Sequence, residues 1–175
     1  MLKMETVRAG HRAIGQIEEL YARAFPENER RPLEPLIEDR AGIAEMLALY
    51  DGEAFVGFVS LLNWKDIAHI IYFAVEEALR GRGYGAQTLE MLYTRKKGCR
   101  LIADVEEAIE GAPNVEQRAR RIAFYERLGF ARSSVRYAWR GEEYVILSRG
   151  GDITPDEFRN FWREIDAKNK EMGQY

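Results

Sequence analysis

The sequence has little that would cross-link the chain, bind a metal or span a membrane. Its single cysteine, Cys99, excludes an intrachain disulfide, and its two histidines are far apart, which argues against a Cys/His zinc site. The longest apolar runs, 54–62 and 67–75, have about half of the ~20 residues that a membrane helix needs. The opening segment MLKMETVRAG contains no apolar signal core. We therefore expect a cytoplasmic protein without a metal centre or membrane anchor.

Basic residues are also outnumbered. The chain has 26 Lys and Arg against 29 Asp and Glu, and the net charge of −3 argues against generic nucleic-acid binding. The basic residues cluster in Arg80–Arg100 and Arg118–Arg140, on either side of the acidic segment Asp104–Glu116. This alternation has two interpretations, chance or an anionic ligand bound beside a cationic one.

The order of predicted elements indicates a mixed α/β (α+β) domain. A chain of 175 residues with 46% apolar content matches one domain of about 100–200 residues. Apolar spacing and turn residues predict helices over 11–25, 36–49, 85–97 and 115–128, and strands over 54–62, 68–75, 101–105, 133–139 and 144–147. A capping box at Thr154–Glu157 opens a last helix with an apolar stripe. One strand–helix–strand crossover lies in the middle of this order.

A glycine-rich turn joins the strand at 68–75 to the following helix. Gly81, Gly83 and Gly85 let the backbone approach a ligand, and the free N–H groups of a helix start favour a phosphate. The turn formally fits a dinucleotide fingerprint, with Asp104 in the place of the ribose-binding acid, or an S-adenosylmethionine site. Both interpretations are weakened by Glu76–Arg80, which separates the strand from the first glycine.

A third interpretation fits better. The pattern Arg80-x-x-Gly83-x-Gly85-Ala86 resembles the Q/R-x-x-G-x-G/A motif of the GNAT acyltransferase superfamily, and 119–130 (ARRIAFYERLGF) resembles its second signature. The resemblance covers about residues 5–148. It implies a GNAT fold, with a mixed central sheet of six or seven strands, splayed parallel fourth and fifth strands, and flanking helices. We expect one acyltransferase domain over 1–150 and a helical extension of that domain over 151–175.

The resemblance also implies acetyl-CoA as cosubstrate. Phe73, Ala74 and Val75 would pair with the pantetheine arm through their backbone. The pyrophosphate would lie on the loop formed by Arg80, Gly81, Arg82, Gly83, Tyr84, Gly85 and Ala86. Among the later arginines, Arg120, Arg121 and Arg127 are candidates for the ribose phosphate.

The implied reaction is direct attack of a primary amine on the thioester within a ternary complex. Tyr125 matches the tyrosine that protonates the departing thiolate in many members. His69 is one candidate base, since an imidazole exchanges protons near neutral pH, and period-2 alternation predicts that it shares a face with Phe73 and Val75. Glu106, after the fifth strand, is the other candidate.

The acceptor is not decided by the sequence. The segment 25–35 (FPENERRPLEP) is expected to line its site, where Glu27, Glu29, Glu106 and Glu107 would attract a cation and Arg30 and Arg31 a carboxylate. We expect a small-molecule amine, while polyamines, amino acids and protein amines stay open, as does a non-catalytic CoA-binding module. Whether Asn114 reaches the cofactor is also open. The last helix packs either on the sheet or on a second copy, as in a homodimer.

Overall fold

The computed structural model describes residues 1–172. Its strands are Leu2–Thr6 (β1), Ala44–Asp51 (β2), Ala54–Trp64 (β3), Ile67–Val75 (β4), Arg100–Glu106 (β5), Ala131–Trp139 (β6) and Glu142–Arg149 (β7). Its α-helices are Ile14–Ala24 (α1), Glu34–Glu38 (α2), Tyr84–Arg95 (α3), Val115–Arg127 (α4) and Pro155–Glu171 (α5). Within these residues the strands form one seven-stranded sheet in the order β1-β2-β3-β4-β5-β7-β6. The predicted mixed sheet flanked by helices is confirmed.

Helices cover both faces of the sheet. On one side, here called the α1/α5 face, α1, α2 and α5 bury apolar side chains such as Ile17, Ile37 and Phe161. On the other, the α3/α4 face, Leu89 of α3 and Ile122 of α4 are buried. Each helix presents one apolar stripe to the sheet, so the chain has a core on each side. None of the helices in the described part is long and apolar enough to cross a membrane.

The N-terminal region differs from the prediction. The expected helix over 36–49 is wrong: α2 ends at Glu38, and Ala44–Asp51 forms β2, while β1 was not predicted. Met46–Tyr50 is buried on both faces of the sheet, so the strand shows no apolar alternation, and its Ala, Leu and Met residues favour a helix locally. Asp39 stops α2 in a left-handed conformation, and its carboxylate accepts hydrogen bonds from the N–H groups of Ile43 and Ala44. Tertiary burial overrides propensity here.

Strands β4 and β5 separate along their length. They pair in parallel from Ile67–Arg100 to Ile70–Ala103 and no further, although β4 continues along β3 and β5 along β7. The register between β3 and β4 shifts at Ile71, which has no partner between the pairs Leu61–Ile70 and Ser60–Tyr72. A bulge of this kind bends a strand, so β4 leaves β5 at this point. The gap that results opens towards the N-terminus of α3.

This topology excludes two of the alternatives considered for the glycine turn. Dinucleotide sites of the doubly wound type lie at the edge of a mostly parallel sheet. Among the described residues, β4 and β5 are the single parallel pair. The oxidoreductase and methyltransferase interpretations are therefore wrong in the form in which the fingerprint suggested them.

The last helix packs on its own chain. The capping box is present, because the Thr154 hydroxyl accepts from the Glu157 N–H and the Glu157 carboxylate accepts from the Thr154 N–H. Phe161 and Ile165 are fully buried on the α1/α5 face. The apolar stripe of α5 is thus used within the chain, beside β4 and β6.

Candidate active site

The gap between β4 and β5 contains a cavity of about 560 Å³, here called the interstrand cleft. It is bounded by the separated strands, the end of α1 and one side of α4. Its lining residues are Ala24, Phe25, Pro26, Glu29, Ile70, Ile71, Phe73, Ala74, Val75, Arg80, Gly85, Ala103, Asp104, Val105, Glu106, Arg121, Phe124 and Tyr125. Because both strands have lost a neighbour here, their facing edges offer backbone groups to an extended ligand.

Half of the residues predicted to bind the cofactor line this cleft: Phe73, Ala74, Val75, Arg80 and Gly85. The other five lie around the start of α3 and do not line the cleft: Gly81, Arg82, Gly83, Tyr84 and Ala86. The side chain of Tyr84 turns towards β2, where its hydroxyl donates to Asp51 Oδ2 at 2.7 Å. Tyr84 therefore offers only its backbone to a ligand in the cleft.

The glycine turn builds an anion site at the start of α3. Gly81 and Gly83 have φ of +77° and +82°, which other residues adopt only with strain. The first backbone hydrogen bond of the helix is that from Gln87 N–H to Gly83 O, so the N–H groups of the three preceding residues have no acceptor within the helix. At Gly85 a Cβ would lie 3.2 Å from Phe124 Cζ, so a larger residue there requires the Phe124 ring to shift. These groups fit a pyrophosphate.

Tyr125 lies on the α3/α4 side of the cleft. It is 8% exposed and packs against the rings of Phe124 and Phe130. Burial raises its pKa to about 12; Arg121 opposes this rise and the Asp104 charge adds to it. The phenol is therefore protonated at neutral pH, as a proton donor must be.

A second cavity of about 410 Å³ adjoins the cleft. We call it the aromatic pocket, and it is lined by Phe25, Glu29, Arg31, His69, Ile71, Tyr72, Asp104, Glu106, Arg121, Tyr137, Trp139, Tyr144, Phe158 and Trp162. Six of these also line the cleft: Phe25, Glu29, Ile71, Asp104, Glu106 and Arg121. We call this shared set the junction. A molecule in the pocket can meet one in the cleft there.

His69 lies beneath the aromatic pocket and acts on it through Asp104. Its side chain is 1% exposed, its Nε2 is 3.1 Å from Asp104 Oδ1, and its Nδ1 is buried without a partner. The Tyr137 hydroxyl donates to the other Asp104 oxygen. Burial alone would raise the pKa of Asp104, but the charge and hydrogen bond of His69 and the hydrogen bond of Tyr137 hold it below its usual value.

The face predicted for His69, shared with Ile71, Phe73 and Val75, is right for Ile71 and wrong for Phe73. His69 packs among Phe161 and Trp162 on the α1/α5 face, whereas Phe73 packs on the α3/α4 face. The cause is the bulge at Ile71, which adds one residue and reverses the alternation beyond it. An imidazole on this face, with Nε2 engaged by Asp104, has no direct contact with the cleft.

Glu106 lies at the junction, as predicted, but it has a cationic neighbour that the sequence did not single out. Arg118 of α4 is buried, and its Nε lies 2.8 Å from Glu106 Oε2 although it is not aligned for a hydrogen bond. Its Nη2 lies 2.9 Å from Glu142 Oε2. The charge of Glu106 is thus balanced by an arginine held between two carboxylates.

Glu29 is the junction carboxylate that the sequence placed only near the acceptor. It ends a short 3₁₀ turn, Glu27–Glu29, which is held over the sheet because the Tyr72 hydroxyl donates to Glu29 O at 2.9 Å. Within residues 1–172 its carboxylate makes no hydrogen bond or ion pair. Burial, and next the charge of Glu106, raise its pKa. Nothing local in the sequence marks this role, since Tyr72 is 43 residues away.

The remaining candidate residues lie at different distances from the two cavities. Asn114 is exposed at the start of α4 and lines neither cavity. Of the three arginines proposed for the ribose phosphate, Arg121 lines the cleft, while Arg120 and Arg127 are exposed and line neither cavity.

Solved structures share this fold. One described as an acetyltransferase of the GNAT family, from Bacteroides thetaiotaomicron, is 24% identical, with a TM-score of 0.77 over 93% of this chain and 95% of that one. A Bacillus subtilis acetyltransferase in complex with CoA is 15% identical, with a TM-score of 0.62 over 88% and 100%. An Elizabethkingia anophelis GNAT acetyltransferase with acetyl-CoA bound is 16% identical, with a TM-score of 0.57 over 85% and 97%.

A search of curated proteins found no match. The family model for the acetyltransferase (GNAT) family matches residues 14–130, which is more than half of the chain and includes the glycine turn, the separated strands and Tyr125. The chain therefore belongs to the GNAT acetyltransferase family.

Proposed function

We propose that this protein is an N-acetyltransferase that transfers an acetyl group from acetyl-CoA to a primary amine on a small molecule. The observation that carries the proposal is the interstrand cleft, which runs from the free N–H groups of α3 to Tyr125 and opens into a second pocket. Two structures of the same fold hold CoA or acetyl-CoA, which supports this choice of cosubstrate.

The chain would hold acetyl-CoA mainly through its backbone. An extended pantetheine arm fits beside Phe73–Val75, whose edge faces the cleft without a strand partner. The N–H groups at the start of α3 would bind the pyrophosphate, with the Arg80 guanidinium nearby, where it already donates to Val75 O at 3.3 Å. Arg121 would add a further positive charge.

With the thioester in the cleft, Tyr125 and the junction carboxylates would lie on opposite sides of it. The amine nitrogen would attack the thioester carbon from the junction, and the carbon–sulfur bond would break as the intermediate collapses. Tyr125, on the α3/α4 side, would donate its proton to the departing thiolate and regain one that the attacking nitrogen releases as the amide forms. Its pKa of about 12 exceeds that of a free thiol, about 8.5, but the buried cleft disfavours the thiolate too. Tyr125 therefore acts first as a hydrogen-bond donor to the developing charge.

The amine must lose a proton before it attacks. Glu29 is the strongest candidate base, because no hydrogen bond or ion pair engages its carboxylate and burial raises its pKa towards neutral pH, although the charges of Arg140 and Arg121 oppose that rise. Glu106 is the alternative, with a charge already balanced by Arg118. His69 would contribute by holding Asp104, whose lowered pKa suits it to anchor an ammonium group.

Binding and turnover measurements test the proposal. Acetyl-CoA should raise the melting temperature of the protein, while NADH and S-adenosylmethionine leave it unchanged. Release of free thiol with a panel of amines should then identify an acceptor. Absence of acetyl-CoA binding at millimolar concentration would refute the proposal, and binding without thiol release for any amine would favour the non-catalytic CoA-binding alternative.

Gly83→Ala should weaken acetyl-CoA binding about tenfold. Gly83 has φ of +82°, where an alanine costs about 1–2 kcal/mol, and relief of that strain moves the N–H groups of the anion site. Gly98→Ala is the matched control, because Gly98 has φ of +89° at the other end of α3 and a Cβ there meets nothing within 4 Å. Both variants should lose similar stability in urea unfolding. Equal cosubstrate affinity in the two, measured by calorimetry, would contradict the proposed pyrophosphate site.

A further inference from the structure

Charged and aromatic side chains are segregated in the aromatic pocket. The junction contains three carboxylates, from Glu29, Asp104 and Glu106, and one arginine, Arg121. The pocket residues beyond the junction are mostly rings, namely His69, Tyr72, Tyr137, Trp139, Tyr144, Phe158 and Trp162, together with Arg31. The polar end of the pocket is thus the end that meets the interstrand cleft.

Several of the rings that line the pocket pack on one another or on a cation. Tyr137 stacks on Tyr144 with centroids 5.1 Å apart and planes at 11°, and on Phe158 at 5.9 Å and 23°. The Arg31 guanidinium covers the ring of Trp162 at 4.9 Å. A cavity of about 410 Å³ with stacked walls suits one flat group of the size of a small ligand.

The charges of the junction carboxylates reach the aromatic end of the pocket. Burial raises the pKa of the Tyr144 hydroxyl to about 12, and the charges of Glu29, Glu106, Asp104 and Glu142 add to the rise. A negative potential beside an aromatic surface attracts a cation that carries an apolar body.

Five of the seven rings come from a part of the chain outside the family model, while His69 and Tyr72 lie on β4 within it. Tyr137, Trp139 and Tyr144 lie on β6 and β7, and Phe158 and Trp162 on α5, whereas the model ends at residue 130. Most of the aromatic surface therefore comes from the C-terminal segment that follows the family model, whereas all residues that line the cleft lie within the model.

We infer that the acceptor is a primary amine joined by a short linker to a flat aromatic body, without a carboxylate. The inference rests on the proposed function. The ammonium group would lie at the junction, against Glu29 and Asp104, and the body between the rings. The carboxylate of an amino acid would lie beside its own ammonium group, where three carboxylates face one arginine. A second ammonium group, as in a polyamine, would lie against rings with no carboxylate among the lining residues beyond the junction.

Thiol release with three amines tests the class directly. At a fixed acetyl-CoA concentration, kcat/KM for 2-phenylethylamine should exceed the values for spermidine and phenylalanine at least tenfold. Preference for spermidine would overturn the inference in favour of a polyamine. Preference for phenylalanine would overturn the inference too, because it would mean that an arginine of the pocket binds the carboxylate of the substrate.

A pair of tryptophan variants separates recognition from stability. Trp162→Ala should reduce the preference for 2-phenylethylamine over propylamine at least tenfold and leave the KM for acetyl-CoA unchanged. Trp64→Ala is the control, because Trp64 is also half-buried on the α1/α5 face beside a cation, Lys168, but lines neither cavity. An unchanged preference in Trp162→Ala would overturn the inference.

Calorimetry distinguishes failure of the inference from failure of the proposed function. Suppose that no amine is acetylated. Binding of 2-phenylethylamine to the native protein, and loss of that binding in Trp162→Ala, would then support the aromatic site and refute only the proposed acetyltransferase activity. Absence of binding to the native protein in that case would overturn both.

Discussion

Replacing Tyr125 with phenylalanine should lower kcat at least 100-fold, since a positioned general acid contributes about 10²–10⁴-fold. The side chain lies on the α3/α4 side of the cleft, and its phenol is the group that would meet the departing sulfur. Burial holds its pKa near 12, so native Tyr125 carries a proton throughout the range in which the enzyme would work. Phenylalanine keeps the ring packing against Phe124 and Phe130 and removes only the hydroxyl group, which carries the proton.

Single-turnover thiol release and calorimetric binding of acetyl-CoA check this expectation together. Affinity should stay within about twofold, because the hydroxyl acts only as charge develops on sulfur. Tyr50→Phe is the matched control: Tyr50 is also buried, and its hydroxyl has no hydrogen-bond partner and lines neither cavity. Native turnover in Tyr125→Phe would mean that the residue only packs between α4 and the sheet.

Glu29→Gln should lower kcat/KM for the amine about 100-fold near pH 7. Glutamine keeps the size of the side chain and the Tyr72 hydrogen bond to the backbone, but it neither attracts an ammonium group nor accepts its proton. Since Glu29 must be ionised to act, native activity should be lost as the pH falls through its pKa, which lies above the usual glutamate value. The pH–rate profile of the variant should lack this fall in activity at acidic pH, here called the acidic limb.

Glu106→Gln and His69→Ala rank the other candidates in the same pH–rate measurement. Glu106→Gln should reduce activity less than tenfold and keep the limb, because Arg118 already balances this carboxylate. His69→Ala should raise the KM for the amine, because Asp104 loses a hydrogen-bond partner, while the limb persists. If Glu106→Gln removes the limb instead, Glu106 is the base and Glu29 only attracts the substrate.

The parts that the sequence predicted well are local. The glycine turn and the helix that carries Tyr125 depend on residues close together in the chain: positive φ at Gly83, an N-terminal helix turn, and a helix closed by Gly129 at φ +84°. Such features are encoded by short-range geometry. The motifs that carry the family resemblance have this character, and the family model confirms that resemblance.

The predictions that were wrong concern features that depend on contacts between residues far apart in the chain. A buried strand rich in Ala, Leu and Met was interpreted as a helix because burial on both faces removed its alternation. The bulge at Ile71 appears in no local pattern, yet it moved His69 to the opposite face from Phe73. Alternation has a period of two, so one extra residue exchanges the faces beyond it.

The sequence by itself determined the class of protein and the place of its glycine turn, because a helix start and its glycines need no distant partner. Only the tertiary structure decided which carboxylates line the junction and which rings line the aromatic pocket. Tyr72 holds Glu29 from another strand, Arg118 balances Glu106 from a helix, and α5 brings Trp162 to the pocket. Each of these contacts joins segments separated in the chain, and packing of both sheet faces selects them together.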